Sequence, residues 1–209
     1  MAEPDRALLG DVERYYSERV KAFGATAKGV DWHSQESQVL RFEQIERLWA
    51  GDDAHTVNLI DYGCGYGALA DYLRERGTAI RYQGFDISAA MIEQAALRAG
   101  SDCSFTMRAD QLTPADYVVA SGIFNVKLGH KADAWTGYVR RTLAAMKALC
   151  KRGFAFNALT SYADEDKQRK DLYYADPGYW FDYCKRAHSP RVTLVHDYPL
   201  YEFTLLVRT

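Results

Sequence analysis

An apolar run, Asn58-Leu-Ile-Asp61, passes straight into Tyr62-Gly63-Cys64-Gly65-Tyr66-Gly67 and then into Ala68-Leu-Ala-Asp-Tyr-Leu. Three glycines at alternate positions between a strand-like and a helix-like stretch constrain this chain more than any other feature. Glycine tolerates positive φ and lacks the Cβ that keeps a ligand off the backbone. The helix that follows presents unpaired N–H groups and the positive end of its dipole. Nineteen residues after Gly67, a second strand-like run ends in Gly84-Phe-Asp86-Ile87-Ser88. A carboxylate at that distance, on that element, is placed to accept both hydroxyls of a ribose.

The surrounding pattern supplies the frame. Strand character is expected at Val57–Tyr62, Ile80–Phe85, Tyr117–Ser121, Gly153–Ala158, Val192–His196 and Phe203–Val207, with helical spacing at 67–76, 89–99, 133–149 and 166–187. Alternation of this kind implies βαβ units, a mostly parallel sheet and helices on both faces. Only Asp197–Glu202 separates the last two strands, too short for a parallel crossover, so they should form an antiparallel hairpin. Two helices are expected upstream. Leu8, Val12, Tyr15, Tyr16, Val20 and Phe23 keep helical spacing up to Gly24, and Ser34 can cap a second helix with Val39, Phe42, Ile45 and Trp49 inward. We expect one unit, with residues 1–50 as a helical cap and 51–209 as an α/β core.

The glycine segment alone leaves two ligands open, because Gly63-x-Gly65-x-x-Ala68 also satisfies the dinucleotide fingerprint. Three features favour adenosylmethionine over a nicotinamide dinucleotide. Asp61 stands two residues before the first glycine, where a carboxylate suits a cationic amino group and not a pyrophosphate. Two helices precede the first strand, whereas a dinucleotide fold commonly opens on it. The terminal hairpin is foreign to the usual dinucleotide sheet.

Composition narrows the class. The chain has 26 Lys+Arg against 28 Asp+Glu among 209 residues, a formal net charge of −2, and no basic run marks it for nucleic acid or an anionic membrane. No apolar stretch approaches the roughly 20 residues of a membrane span, and the N-terminal residues lack a secretory pattern. Cys64, Cys103, Cys150 and Cys184 are widely spaced, which reads as reduced thiols of a cytoplasmic protein without a metal site.

The stretches "IDYGCGYGALADYL", "YQGFDISAAMIEQA" and "ADYVVASGIF" resemble the first motif, the acidic second motif and the fourth strand of the class I adenosylmethionine-dependent methyltransferases. The resemblance implies a doubly wound seven-stranded sheet, mostly parallel with an antiparallel last strand, and adenosylmethionine as methyl donor with adenosylhomocysteine as product. It implies that Gly63, Gly65 and Gly67 flank the methionyl part, Asp86 holds the ribose and Ile87 packs on adenine. Asp110, or the backbone of Ala109, contacts the adenine amino group, and Ser121 and Gly122 lie beside the sulfonium. Arg41 resembles an N-terminal-helix arginine that clamps the methionine carboxylate; the competing reading is a solvated helix arginine.

The acceptor is less constrained. Ser121-Gly-Ile-Phe124 departs from the N-P-P-Y-like tetrapeptide of adenine- and glutamine-directed members, which together with the missing basic patch points to a small-molecule acceptor, methylated on oxygen or nitrogen. Aromatic lid candidates are Tyr173 and Tyr174 beside the Pro177-Gly178 break and Trp32 in the Gly29–His33 loop, and Phe124 is a further substrate-binding candidate. His130 is the best-placed base by topology. A monomer or homodimer is expected. The competing functions are a non-catalytic adenosylmethionine-binding protein, an aminopropyl transferase (for which a carboxylate clamp at Arg41 is useless) and, more remotely, a nicotinamide-dependent oxidoreductase.

Overall fold

The structure is a computed structural model that describes residues 5–53 and 55–209. Helix α1 (Arg6–Phe23) is followed by a 3-10 turn at Ala27–Val30 and by α2 (Gln35–Glu46). Ser34 caps α2 as expected: its hydroxyl accepts the Ser37 N–H at 3.2 Å while the Ser37 hydroxyl accepts the Ser34 N–H at 3.3 Å, two orphan donors satisfied reciprocally. The core then runs β1 (Val57–Tyr62), α3 (Ala68–Glu75), β2 (Ile80–Phe85), α4 (Ala89–Leu97), β3 (Cys103–Thr106), β4 (Ala115–Ala120), α5 (Ala132–Leu149), β5 (Cys150–Thr160), β6 (Tyr174–Ala175), α6 (Pro177–Ala187), β7 (Arg191–Val195) and β8 (Glu202–Arg208).

Seven strands form one sheet in the order β3-β2-β1-β4-β5-β8-β7, and the two-residue β6 pairs beside β5. All pairings are parallel except those of β8, which runs antiparallel to both β5 and β7. The expected terminal hairpin is therefore present. Successive residues of the central strands point to opposite faces. Ile60, Val118, Phe154 and Phe156 pack with α5 and α6, whereas Leu59, Val119 and Ala155 pack with α2 and α3. Burial on both sides explains why these strands read as continuous apolar runs rather than alternating ones. Truncating a core residue such as Ile60, which is fully buried, costs on the order of 2–5 kcal/mol.

Two elements differ from the sequence expectation. The stretch 166–187 opens on the end of a 3-10 turn, Glu165–Lys167, and is α-helical only from Pro177, because Asp176 caps the helix by accepting the Gly178 and Tyr179 N–H groups at 2.8 and 3.2 Å and the residue before a proline is driven extended. Upstream, Tyr174–Ala175 pairs in parallel with Leu159–Thr160. The strand β3 carried no apolar run to announce it: Cys103-Ser-Phe-Thr is a short edge strand, half-buried or exposed throughout.

The connection from β3 to β4 holds no α-helix, only a 3-10 turn at Ala109–Gln111. Leu8 and Val12 of α1 pack there with Phe85, Leu112 and Tyr138, while Val20, two turns on, packs with Tyr66 and Met91. Helix α1 thus bridges the two helical layers across the carboxyl ends of the strands. It is tied down by Ser17 against Ser88 (2.7 Å), by Tyr15 donating to Asp31 (2.7 Å) and by Arg141 donating to Asp5 (2.9 Å).

Candidate functional site

Beneath α1 lies a cavity of about 630 Å³ at the carboxyl ends of β1, β2 and β4. Its floor is the glycine segment. The N–H groups of Gly63 and Cys64 both donate to the Phe85 carbonyl, at 2.7 and 2.9 Å, which pins the loop to the end of β2. Gly63 has φ +88°, and a Cβ there would stand 2.1 Å from the Ile123 side chain, so the close approach of the two loops requires glycine. Gly67 starts α3 from the left-handed region, φ +84°, but does not itself line the cavity.

Asp86 organises the second wall. Its Oδ2 accepts the Gly65 N–H and its Oδ1 the Ser88 N–H, each at 2.9 Å. One carboxylate therefore fixes both the glycine loop and the start of α4, where Ser88 caps the helix by accepting the Met91 N–H. Burial pushes the Asp86 carboxyl above its ordinary range, against the pull of these backbone donors.

Asp61, on β1, is 3% exposed and lines the same cavity. Tyr82, its neighbour on β2, donates to Oδ2 at 2.6 Å, and Oδ1 has no partner among the described residues. Burial pushes this carboxyl up to about 7; the Tyr82 hydrogen bond opposes the shift and the nearby Asp86 charge adds to it. Ser121 Oγ, at the end of β4, is also buried without a partner among the described residues. Leaving a buried polar group unpaired costs about 1–3 kcal/mol, so two such atoms in one cavity mark a place for a polar ligand. An orphan carboxylate oxygen suits a cation, and the amino group of adenosylmethionine is one. The residues present fit this cofactor.

Among the residues singled out from sequence, the cavity brings together Asp61, Gly63, Gly65, Asp86, Ile87, Ala109, Asp110, Ser121, Gly122 and Trp32. Asp110 stands on its rim, engaged at 2.7 Å by Arg108, whose guanidinium holds the carboxyl below its ordinary range. Ala109 lies next to it, half-buried against the core.

Other expected residues fall outside the lining. Arg41 is not a solvated helix arginine: its guanidinium donates to Glu202 at 2.8 and 2.5 Å and stacks 3.8 Å from the centre of the Trp32 ring. His130 sits before α5 with Nε2 3.1 Å from Asp11 of α1. Phe124 is fully buried, and its carbonyl accepts the Trp135 indole N–H at 2.8 Å. Tyr173 packs into the core and its hydroxyl meets Thr136 at 2.9 Å. Tyr174 lies in β6, its hydroxyl accepting the Arg169 N–H at 3.0 Å. The last two stand where β6 draws the segment before Pro177 against β5.

What the sequence did not announce is the roof. Tyr16, Tyr62, Tyr138 and Ile123 line the cavity, and the first three have phenols held above their ordinary range chiefly by burial. The helical spacing of α1 marked Val12 and Tyr16 as an apolar face, but nothing local shows that this face closes a cavity. Among the described residues no group of three or more His, Cys, Asp or Glu could hold a metal ion, and no helix is long and apolar enough to cross a membrane. The four thiols are free.

Comparison with known proteins agrees with this geometry. Residues 60–153 match the family model described as "Methyltransferase domain". The protein named "Putative methyltransferase Rv1506c" from Mycobacterium tuberculosis (strain ATCC 25618 / H37Rv) is 51% identical over 166 residues, covering 78% of this chain and 98% of the relative. Among solved structures, magnesium protoporphyrin IX methyltransferase from Synechocystis PCC 6803 with bound adenosylhomocysteine superposes with a TM-score of 0.67 at 14% identity, over 95% of this chain and 98% of the other. Human N-acetylserotonin methyltransferase in complex with adenosylmethionine gives 0.63 at 17% identity, over 98% of this chain and 59% of the other. With the glycine segment, the acidic partner and the reversed β8 in place, the chain belongs to the class I adenosylmethionine-dependent methyltransferases.

Proposed function

We propose that the acceptor is a small molecule, methylated on oxygen or nitrogen. One observation carries this reading: the cavity that holds Asp61, Asp86 and Ser121 is roofed by α1 and walled by Tyr16, Tyr62, Tyr138 and Ile123. A chamber of this size under α1, lined mainly by apolar and aromatic side chains, takes ligands of small-molecule dimensions. The names of the two structural neighbours, a magnesium protoporphyrin IX and an N-acetylserotonin methyltransferase, support the same class.

In this reading Asp61 Oδ1 receives the cofactor's amino group, Asp86 the ribose hydroxyls, and Ile87 with Ala109 the adenine. Ser121 and Gly122 border the transferring methyl. The cofactor supplies a methyl carbon already activated by positive sulfur. The chain's task is then alignment and exclusion of water, for which no covalent residue is needed. Helix α1 with the segment to Trp32 acts as the cover. His130, outside the lining and paired with Asp11, is assigned no part in the transfer.

The test is release of adenosylhomocysteine from adenosylmethionine with a panel of small phenols, carboxylic acids and amines. Turnover with a member of the panel supports the reading. Tight cofactor binding with no turnover on any small acceptor, but methylation of protein or RNA in a cell extract, overturns it.

A further inference from the structure

Glu202 is an uncommon residue for the inside of a sheet. It opens β8, is 1% exposed and pairs in register with Leu159 of β5. Its Oε2 accepts from Arg41 Nε at 2.8 Å and from Asn157 Nδ2 at 2.7 Å, and its Oε1 accepts from Arg41 Nη2 at 2.5 Å. The amide of Asn157, itself fully buried on β5, turns its other side upward: Oδ1 accepts the Gly122 N–H at 2.7 Å. Gly122 has φ +80°, and a Cβ there would meet the Trp32 ring at 2.6 Å. The Trp32 ring in turn lies under the Arg41 guanidinium.

These contacts close on themselves. From Arg41 through Glu202, Asn157, Gly122 and Trp32 the path returns to Arg41, joining α2, β8, β5, the turn after β4 and the cover segment. Such a ring is not explained by stability alone, since a buried ion pair seldom outperforms apolar residues of the same volume. What it fixes is the place of the Ser121–Gly122 turn and of the indole above it, and both border the cavity.

We propose that Glu202 is a positioning residue for the methionyl end of the cofactor. Through Asn157 it sets the turn after β4, and through Arg41 it sets Trp32 over that turn. This rests on the reading above that Asp61 receives the cofactor's amino group and that Ser121 and Gly122 border the transferring methyl. It differs from a direct contact of Arg41 with the methionine carboxylate, because here the guanidinium is already committed to Glu202. The two differ in sign. Neutralising Glu202 frees the guanidinium, which strengthens a direct clamp but loosens a positioned turn.

The experiment compares adenosylhomocysteine with methylthioadenosine, which shares the nucleoside but lacks the amino-acid moiety, by calorimetry on the full chain with a melting curve for each variant. Glu202→Gln should weaken adenosylhomocysteine about three- to tenfold, the range for one lost buried hydrogen bond, and weaken methylthioadenosine, whose thioether reaches the turn but which lacks the amino-acid moiety, by clearly less. Asn157→Ala, which leaves the Arg41–Glu202 pair intact, should do the same and guards against a Glu202→Gln protein that fails to fold. Unchanged or tighter adenosylhomocysteine binding in folded variants overturns the proposal, as does an equal loss of both ligands. Failure of the unmodified chain to bind adenosylhomocysteine overturns instead the reading of the site on which the proposal stands.

Discussion

Tyr82 donates its phenol to one oxygen of Asp61 at 2.6 Å and leaves the other oxygen bare. With a carboxyl pushed up to about 7 by burial, Asp61 is protonated in a large share of the ligand-free molecules at neutral pH. A cationic amino group recruits the charged form, so binding expels a proton. Affinity for adenosylhomocysteine should fall by up to about tenfold per pH unit below 7 and level off above it. Asp61→Asn should lose about 1–3 kcal/mol of affinity and flatten the profile. Titration in buffers of different ionisation enthalpy counts the protons, and a pH-independent affinity in the unmodified chain rules this out.

The same group gives stability its own pH dependence. Its folded value of about 7 exceeds the roughly 3.9 of an unfolded aspartate, so between those values the folded state binds the extra proton. The stabilisation is full below about pH 4 and is lost as pH rises through about 7. The melting temperature of the ligand-free chain should therefore drop more steeply from pH 5 to 8 than that of Asp61→Asn. Parallel curves for the two proteins contradict the assignment.

Asp86 serves two functions, and the two should separate by ligand. Asp86→Asn retains an acceptor for the Gly65 or the Ser88 N–H but loses the charge offered to the ribose. We expect adenosylhomocysteine and methylthioadenosine to weaken together, by about 1–3 kcal/mol, because both contain the ribose. A loss confined to adenosylhomocysteine would move Asp86 to the methionyl end of the site.

Helix α1 covers the cavity through Leu9, Val12 and Tyr16, so a ligand beneath it adds contacts the empty chain lacks. Amides of α1 should exchange with solvent more slowly when adenosylhomocysteine is present, with the largest protection around Val12–Tyr16. Mass-spectrometric hydrogen exchange with and without ligand reads this directly. Protection confined to the glycine segment would mean that α1 is not the roof.

His130→Ala should leave adenosylhomocysteine affinity unchanged and cost no more than about 1 kcal/mol of stability, the range for one partly exposed hydrogen bond, here the contact with Asp11. A tenfold loss of cofactor affinity in a folded variant returns His130 to the site.

The sequence revealed most where chemistry is local. The glycine segment, Asp86 and the strands β1 and β2 could be read because their signals are contiguous: an apolar run buried on both faces, glycines where φ is positive, a serine three residues before the N–H it caps. The failures are equally physical. The edge strand β3 is too short and too polar to show a pattern. The helix near 166 was overrun because aromatic spacing continues through Tyr173 and Tyr174, whereas Pro177 dictates where the helix begins. The partner of Arg41 could not be read at all, since Glu202 lies 161 residues away and only the folded sheet brings β8 beneath α2. The roof belongs to the same category.

That roof has a consequence for how the protein is made. Where β3 crosses to β4 without a helix, the exposed face of the sheet is covered by α1, whose anchors stand far along the chain: Ser17 meets Ser88 across 71 residues and Asp5 meets Arg141 across 136. On the ribosome, α1 is synthesised ahead of the partners named above, and an 18-residue helix is only marginally stable alone. Its apolar stripe is covered in stages, Val20 once Tyr66 and Met91 are made and Leu8 with Val12 fully only when Tyr138 of α5 emerges, at about 5–20 residues per second. The element that seals the chamber in the finished molecule is thus sheltered piece by piece during synthesis, and its cover is complete only with the arrival of Arg141.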